Sequence, residues 1–167
     1  MARTALDVYL NDHLAGSTMG LDLARRLASQ GEGTPLGEVM GAIAPEIERD
    51  RETLERLMAR LDVTQNPVKQ GLTWMAEKAS GLKFSGATTG DRALGTMLAL
   101  ETLSLGVEGK RGLWESLSVL PDSDPAIQEL DLPELMSRAV SQRAAIDRER
   151  LALVPAALTE REAGAPA

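Results

Sequence analysis

Apolar residues recur at a helical spacing through most of this chain, and the pattern is broadest in residues 90–120, which contain no proline. With successive residues about 100° apart, four positions share one stripe and four others form a broader apolar flank. The stripe consists of Leu94, Leu98, Leu105 and Gly112, and the flank of Leu100, Leu103, Val107 and Trp114. A helix that is apolar over more than half of its circumference is typical of an element with several neighbours. We therefore expect a central helix of a bundle here.

The same spacing predicts three further long helices. The first spans residues 4–30 and ends at Gly31, because glycine tolerates the conformation that closes a helix. The second begins with Thr34 as its N-cap and Pro35 in its first turn. Proline removes a backbone donor, so Pro45 should either kink this helix or divide it.

The last long helix begins after Asp131 and runs to about residue 159, with Pro155 bending or shortening it. Residues 68–80 predict a short helix that crosses the bundle, followed by a loop over 81–89. The predicted fold is all-α, with four long helices in an antiparallel bundle plus one short crossing helix. We expect one domain over 1–159 and a flexible tail over 160–167.

Composition narrows the classes of function. The net charge of −7, without a long basic patch, argues against binding to nucleic acid. The chain has no cysteine, which fits a cytoplasmic protein. It has neither a secretory leader nor an apolar run long enough to span a membrane. We expect an acidic, soluble, cytoplasmic protein.

Small residues stand in the middle of the first helix, at Gly16, Ser17 and Gly20. They would let a neighbouring helix approach closely, or they would leave room for a bound molecule. Close packing is the interpretation that we favour from the sequence.

Each long helix also carries a polar residue within its apolar stripe. These residues are His13, Asp50, Glu101, Glu108 and Glu149. If the first two helices pair about the turn near residue 32, position i faces roughly position 65 minus i, which brings His13 to the level of Asp50. The same folding of the last two helices brings Glu101 to Glu149 and Glu108 to Gln142. We expect an interior layer of polar groups, which must be paired.

Two explanations of this layer compete. One is a metal or proton-transfer site built from the carboxylates and the imidazole. The other is structural: Arg51, Arg143 and Arg150 pair with the carboxylates, and His13 hydrogen-bonds to Asp50. We favour the structural explanation.

The segments ALETLSLGVEGKRGLW, WMAEKASGLK and RAVSQRAAIDRERL resemble the ferritin-like superfamily, especially its small bacterial members, over residues 6–158. This resemblance implies a four-helix bundle. Di-iron members carry two Glu-x-x-His motifs, whereas here Glu46 is followed three residues later by Arg49, and the chain has a single histidine. A metal site, for iron or manganese, would have to use the five residues of the polar layer.

No phosphate-binding loop and no nucleophile with a matching base is present in the sequence. The favoured function is therefore a non-catalytic interaction or stress-associated protein without a cofactor. We expect it to self-associate, because the central helix is more apolar than one core requires, and to bind neither nucleic acid nor membranes; its protein partner is not specified by the sequence. The alternative is a degenerate ferritin-like metal-binding protein.

Overall fold

The computed structural model describes residues 4–65, 92–120 and 124–159, and 87% of these residues are helical, without strands. The helices are α1 (Ala5–Gln30), α2 (Pro35–Arg60), α3 (Arg92–Ser118), α4 (Pro125–Gln128) and α5 (Leu132–Leu158). The expected all-α fold with four long helices is confirmed. The expected short helix over 68–80, the loop over 81–89 and the tail over 160–167 lie outside the described residues.

The long helices begin where side-chain oxygens take up the free N–H groups of the first turn. Thr4 and Asp7 form a capping box at α1, and Thr34 accepts from the backbone of Gly37 at α2. Asp131 accepts from the backbone N–H of Glu134 at 3.1 Å and so caps α5. These three starts are the ones that the sequence predicted.

Both prolines inside the long helices are accommodated. Helix α2 is continuous through Pro45, so this residue does not divide it into two helices. Helix α5 continues through Pro155 to Leu158, close to its expected end.

The four long helices form two antiparallel hairpins, α1 with α2 and α3 with α5. Helix α1 also lies beside α3, and α2 lies beside α5. Side-chain contacts show that these neighbours are antiparallel as well: Tyr9–Ser116 joins α1 to α3, Asp50–Arg138 and Glu46–Gln142 join α2 to α5, and Ser104–Asp147 joins α3 to α5. Helices α2 and α3 therefore run in the same direction. Helix α2 therefore ends at one end of the bundle and α3 begins at the other.

The interior consists of two apolar clusters. We call the end where α1 stops and α3 starts the upper end, and the opposite end the lower end. The upper cluster includes Leu21, Leu27, Met40, Ile43, Ile47, Leu100, Leu103, Val107 and Ile146. The lower cluster includes Leu10, Leu54, Leu57, Met58, Leu113, Trp114, Leu117, Ile127 and Leu135. On α2 and α3 the boundary between the clusters falls at Asp50 and Lys110.

Helix α3 turns a different face to the interior from the one expected. Leu105, which belongs to the expected stripe, is 50% exposed, whereas Leu100 on the broader flank is fully buried. Glu101 is exposed as well. The reason is that α3 packs between α1 and α5, and the arc that meets both neighbours is the flank with Leu103 and Val107. A helix with two apolar arcs does not reveal from its own sequence which arc faces its neighbours.

We expect Leu100→Ala to lower the free energy of unfolding by about 2–5 kcal/mol, because it opens a cavity at a fully buried position. Leu105→Ala is the matched control on the same helix, and its effect should stay within about 0.5 kcal/mol. Urea denaturation followed by circular dichroism measures both. Similar losses for the two variants would contradict the orientation of α3.

Candidate functional site

A charged cluster lies inside the bundle, between the upper and lower apolar clusters. The side chain of Asp50 on α2 is 0% exposed and accepts from Lys110 Nζ at 2.6 Å and from Arg138 Nη1 at 2.9 Å. Gln142 Nε2 also donates to Asp50, at 3.3 Å. The acid thus comes from α2, and its partners come from α3 and α5.

Gln142 links the remaining members of this cluster. Its Nε2 donates to Glu46 Oε2 at 3.0 Å, and its Oε1 accepts from Lys110 Nζ at 2.5 Å. The five residues are called the Asp50 network below. Two carboxylates and two cations balance in charge, as is needed when ions are placed in an apolar interior. Burial lowers the pKa of Lys110, and the adjacent Asp50 opposes that shift.

The structure does not bring together the five residues of the expected polar layer. Asp50 is buried as expected, but Glu101 faces outward, so its expected inward orientation is wrong. Glu149 is half-buried on α5, two helical turns beyond Gln142. Within the described ranges, no three histidine, aspartate or glutamate side chains are grouped closely enough to hold a metal ion.

Glu108 belongs to a separate, partly exposed group between α3 and α5. It accepts from Arg111 at 2.8 Å and from Arg143 at 2.8 Å. The hydrogen bond from Arg111, helped by Arg143, lowers the pKa of Glu108. The expected pairing of Arg143 with one of the carboxylates is therefore confirmed, at the surface.

His13 is half-buried on α1 and takes no part in the contacts of the Asp50 network. Its ring packs edge-on against Tyr9, with the ring centroids 4.6 Å apart. Burial lowers the pKa of His13, with Asp12 opposing, so the imidazole is neutral at pH 7. We expected His13 to hydrogen-bond to Asp50. Asp50 is instead bonded to Lys110, Arg138 and Gln142.

The relative position of α1 and α2 explains this difference. The expected pairing places residue 40 opposite Arg25, but Arg25 bonds Glu48 at 2.7 Å. Asn11 likewise bonds the backbone oxygen of Thr64, beyond the end of α2. The contacts of Arg25 and Asn11 thus fall eight and ten residues beyond the expected positions 40 and 54, which is more than two helical turns.

Sequence reasoning missed the two cations of the Asp50 network, although the pattern contains them. Lys110 stands seven residues after Leu103 and three after Val107, and so on the buried arc of α3. Arg138 stands four residues before Gln142, one turn away on α5. From the sequence we considered neither residue as a partner of the carboxylates, but three arginines instead: Arg51, Arg143 and Arg150.

A long groove runs between α1 and α3, with α2 as its floor, and encloses about 1060 Å³. We call it the α1/α3 groove. Gly16, Ser17 and Gly20 of α1 line one side, and Gly106 and Gly109 of α3 line the other. A methyl group added at Gly106 or Gly109 would meet nothing within 4 Å. The small residues of α1 thus line the groove, although Gly20 also packs against Leu103, so the close packing that we favoured from the sequence holds at that residue.

The groove changes character along its length. Its upper part is lined by apolar side chains: Leu23, Leu27, Leu36, Ala99 and Leu103. Its lower part contains Lys110 and two buried hydrogen-bond donors, Arg51 Nε and Trp114 Nε1, that have no partner within residues 4–65, 92–120 and 124–159. An unpartnered buried donor is uncommon, because it loses its bond to water without replacement.

Comparison with protein-family models, with curated protein sequences and with solved structures gave no significant match. None of the helices described above is long and apolar enough to cross a membrane. The fold and the site therefore define an all-α helical bundle with an interior ion network and an open apolar groove.

We expect Asp50→Asn to lower the free energy of unfolding by about 3–5 kcal/mol, because it leaves Lys110 and Arg138 without their buried counter-charge. Glu48→Gln is the matched control: it breaks the exposed pair with Arg25 and should cost no more than about 1 kcal/mol. Chemical denaturation at pH 7 measures both changes. A loss below about 1 kcal/mol for Asp50→Asn would show that the network does not hold the helices together.

Proposed function

We propose that this protein is a non-catalytic binding protein that holds an elongated apolar ligand in the α1/α3 groove. The observation that carries the proposal is the groove itself, about 1060 Å³ of space between two helices lined by small and apolar residues. Pockets that hold small molecules typically measure about 300–1000 Å³ and are mostly apolar. This groove therefore has room for a molecule of lipid size.

The shape of the groove favours an elongated ligand. On α3 its lining runs from Arg92 to Trp114, which corresponds to about 33 Å at a rise of about 1.5 Å per residue. Water in contact with such apolar walls is released when an apolar molecule enters, which favours binding.

The charged groups beside the groove support binding over catalysis. Asp50 is fully buried and bonded to three donors, so its oxygens are not available as a general base. The ring of His13 contacts the ring of Tyr9. A catalytic imidazole needs instead a hydrogen-bonding group that fixes its tautomer.

A ferritin-like relationship remains a proposal about the fold. Its support is the arrangement of two antiparallel hairpins, of which the first ends at one end of the bundle and the second begins at the other, as in ferritin-like folds. The degenerate metal-binding function has less support, because His13, Glu101 and Glu149 do not surround Asp50. A cytoplasmic location is likewise proposed from the absence of cysteine.

We expect Gly106→Leu to abolish binding of a neutral apolar fluorophore, N-phenyl-1-naphthylamine, because Gly106 lines the groove and its added Cβ meets nothing within 4 Å, so the larger side chain occupies groove space. The fold should tolerate the change, since replacing a glycine inside a helix stabilises it by up to about 1 kcal/mol. Fluorescence titration measures the binding.

Gly112→Leu is the matched control. Gly112 lies on the same helix, has nothing within 4 Å of an added methyl group and does not line the groove. This variant should bind the fluorophore as the wild type does. Absence of binding to the wild type would overturn the proposal, and a groove occupied by a second copy or by another part of the chain would give that result.

Self-association is a second candidate, supported by the outer face of α5. Val140, Leu151 and Leu158 are 55%, 57% and 61% exposed. Their spacings of eleven and seven residues place them on one line along the helix. Such a line of exposed apolar side chains suits contact with the same line of a second copy.

We expect sedimentation at micromolar concentration to show a species heavier than the 17.9 kDa chain. The double variant Val140→Glu with Leu151→Glu should return it to a single chain, because it places charges in the contact. Leu105→Glu, which changes an equally exposed leucine on α3, should leave the assembly unchanged. A lone 17.9 kDa wild-type species would remove this candidate.

A further inference from the structure

Two buried donors in the lower part of the α1/α3 groove have no hydrogen-bond acceptor among the residues that the structure describes. Trp114 is 1% exposed, and its Nε1 has no hydrogen-bond partner. Arg51 Nε is also buried without a partner, although the same guanidinium reaches Glu55 through Nη2 at 2.7 Å. Leaving a buried donor unsatisfied is costly for folding, so a bound molecule that supplies an acceptor would stabilise this part of the bundle.

These donors lie near the level of the Asp50 network. Arg51 follows Asp50 on α2, and Trp114 lies one turn after Lys110 on α3, while Asp50 and Lys110 are themselves 2.6 Å apart. The ammonium group of Lys110 has three N–H bonds, of which Asp50 and Gln142 take two. The floor of the groove therefore offers donors from two facing helices.

The two neighbouring carboxylates of α2 are already occupied, whereas Asp12 and His13 line the groove from α1. Asp50 is 0% exposed and bonded to three donors, and Glu55 is paired with Arg51. A group that enters this part of the groove meets N–H groups in need of an acceptor. A carboxylate is suited to such a place, because it only accepts, has about four lone-pair sites and forms stronger, charge-assisted bonds.

The upper mouth of the groove does not offer an equivalent place. Arg26 and Arg92 line it from the exposed surface, where water competes for their donors and screens their charge. Between that mouth and the donors the walls are apolar, with Leu23, Leu27 and Leu103. An alkyl chain would fill this upper part while its polar end stays below.

We propose that the ligand of the α1/α3 groove is a long-chain carboxylic acid, whose carboxylate accepts from Arg51, Trp114 and Lys110 and whose alkyl chain extends toward Leu27 and Leu36. This inference rests on the proposed function of the groove and adds the chemical class and the orientation of the ligand.

The test compares hexadecanoic acid with 1-hexadecanol by displacement of N-phenyl-1-naphthylamine. The wild type should bind the acid at least about tenfold more tightly than the alcohol, since a hydrogen bond to a charged group is worth about that factor. Trp114→Phe and Arg51→Gln should each weaken binding of the acid about tenfold and binding of the alcohol much less, because each removes one donor and a hydroxyl forms only the weaker, uncharged hydrogen bond.

Arg143→Gln is the matched control. Arg143 also carries a buried Nε without a partner, and the substitution changes the net charge equally, but the residue lies outside the groove. It should leave binding of both ligands unchanged. Urea denaturation of each variant establishes that it is folded.

Each other result has a defined meaning. Equal affinity for acid and alcohol would overturn the proposal that the ligand is a carboxylic acid. The proposal that the groove is a binding site would stand. An equal loss in Arg143→Gln and Arg51→Gln would also overturn it, because the effect would then be one of net charge. If neither ligand displaces the fluorophore, and Gly106→Leu behaves as the wild type, the proposed function of the groove fails together with the inference.

Discussion

The burial of one carboxylate, that of Asp50, is the constraint on which the arrangement of three helices depends. A charge in an apolar interior must be paired, and the pairing groups come from α3 through Lys110 and from α5 through Arg138. Short charged contacts require the helices to stand at one level, so the network fixes the positions of α2, α3 and α5 along their axes. Apolar residues in place of the ions could preserve the stability of the bundle. Their contacts would not fix the positions of the helices along their axes, because apolar packing is not directional.

Helix α1 is attached in a different way, and this difference explains the groove. Its contacts with α3 include the hydrogen bond from Tyr9 to Ser116 near the lower end and the packing of Gly20 against Leu103. The Asp50 network does not extend to α1. Because small residues face each other along the rest of this seam, the two helices leave space where larger side chains would have filled it. The groove thus lies beside α1 because the Asp50 network does not include this helix.

Much of the fold follows from local rules. The caps at Thr4, Thr34 and Asp131 placed the starts of three helices, because a free first turn needs an acceptor in the side chain before it. The buried faces of α2 and α5 also followed from their single apolar stripes. Helix α3 did not, since its apolar surface exceeds half of the circumference and its neighbours, not its sequence, select the buried arc.

The site could be predicted only in part, because its contacts join residues far apart in the chain. Asp50 was expected in the interior, but its partners Lys110 and Arg138 stand 60 and 88 positions away. Their selection depends on how α2 sits against the other hairpin, and a difference of more than two turns in the pairing of the first hairpin already left Asp50 without the expected contact to His13. The α1/α3 groove is harder still to infer from the sequence. The same glycines are compatible with close packing of two helices and with an open groove between them.

Two adjacent residues of α2 illustrate how structure and binding are connected. Asp50 accepts a hydrogen bond from Arg138 of α5. Arg51 lines the groove, and its Nε has no acceptor among the described residues. Because neighbouring residues of a helix are about 100° apart, fixing the direction of the first also fixes that of the second. The ion network that aligns the bundle therefore also holds Arg51, and through Lys110 the turn that carries Trp114, at the floor of the groove.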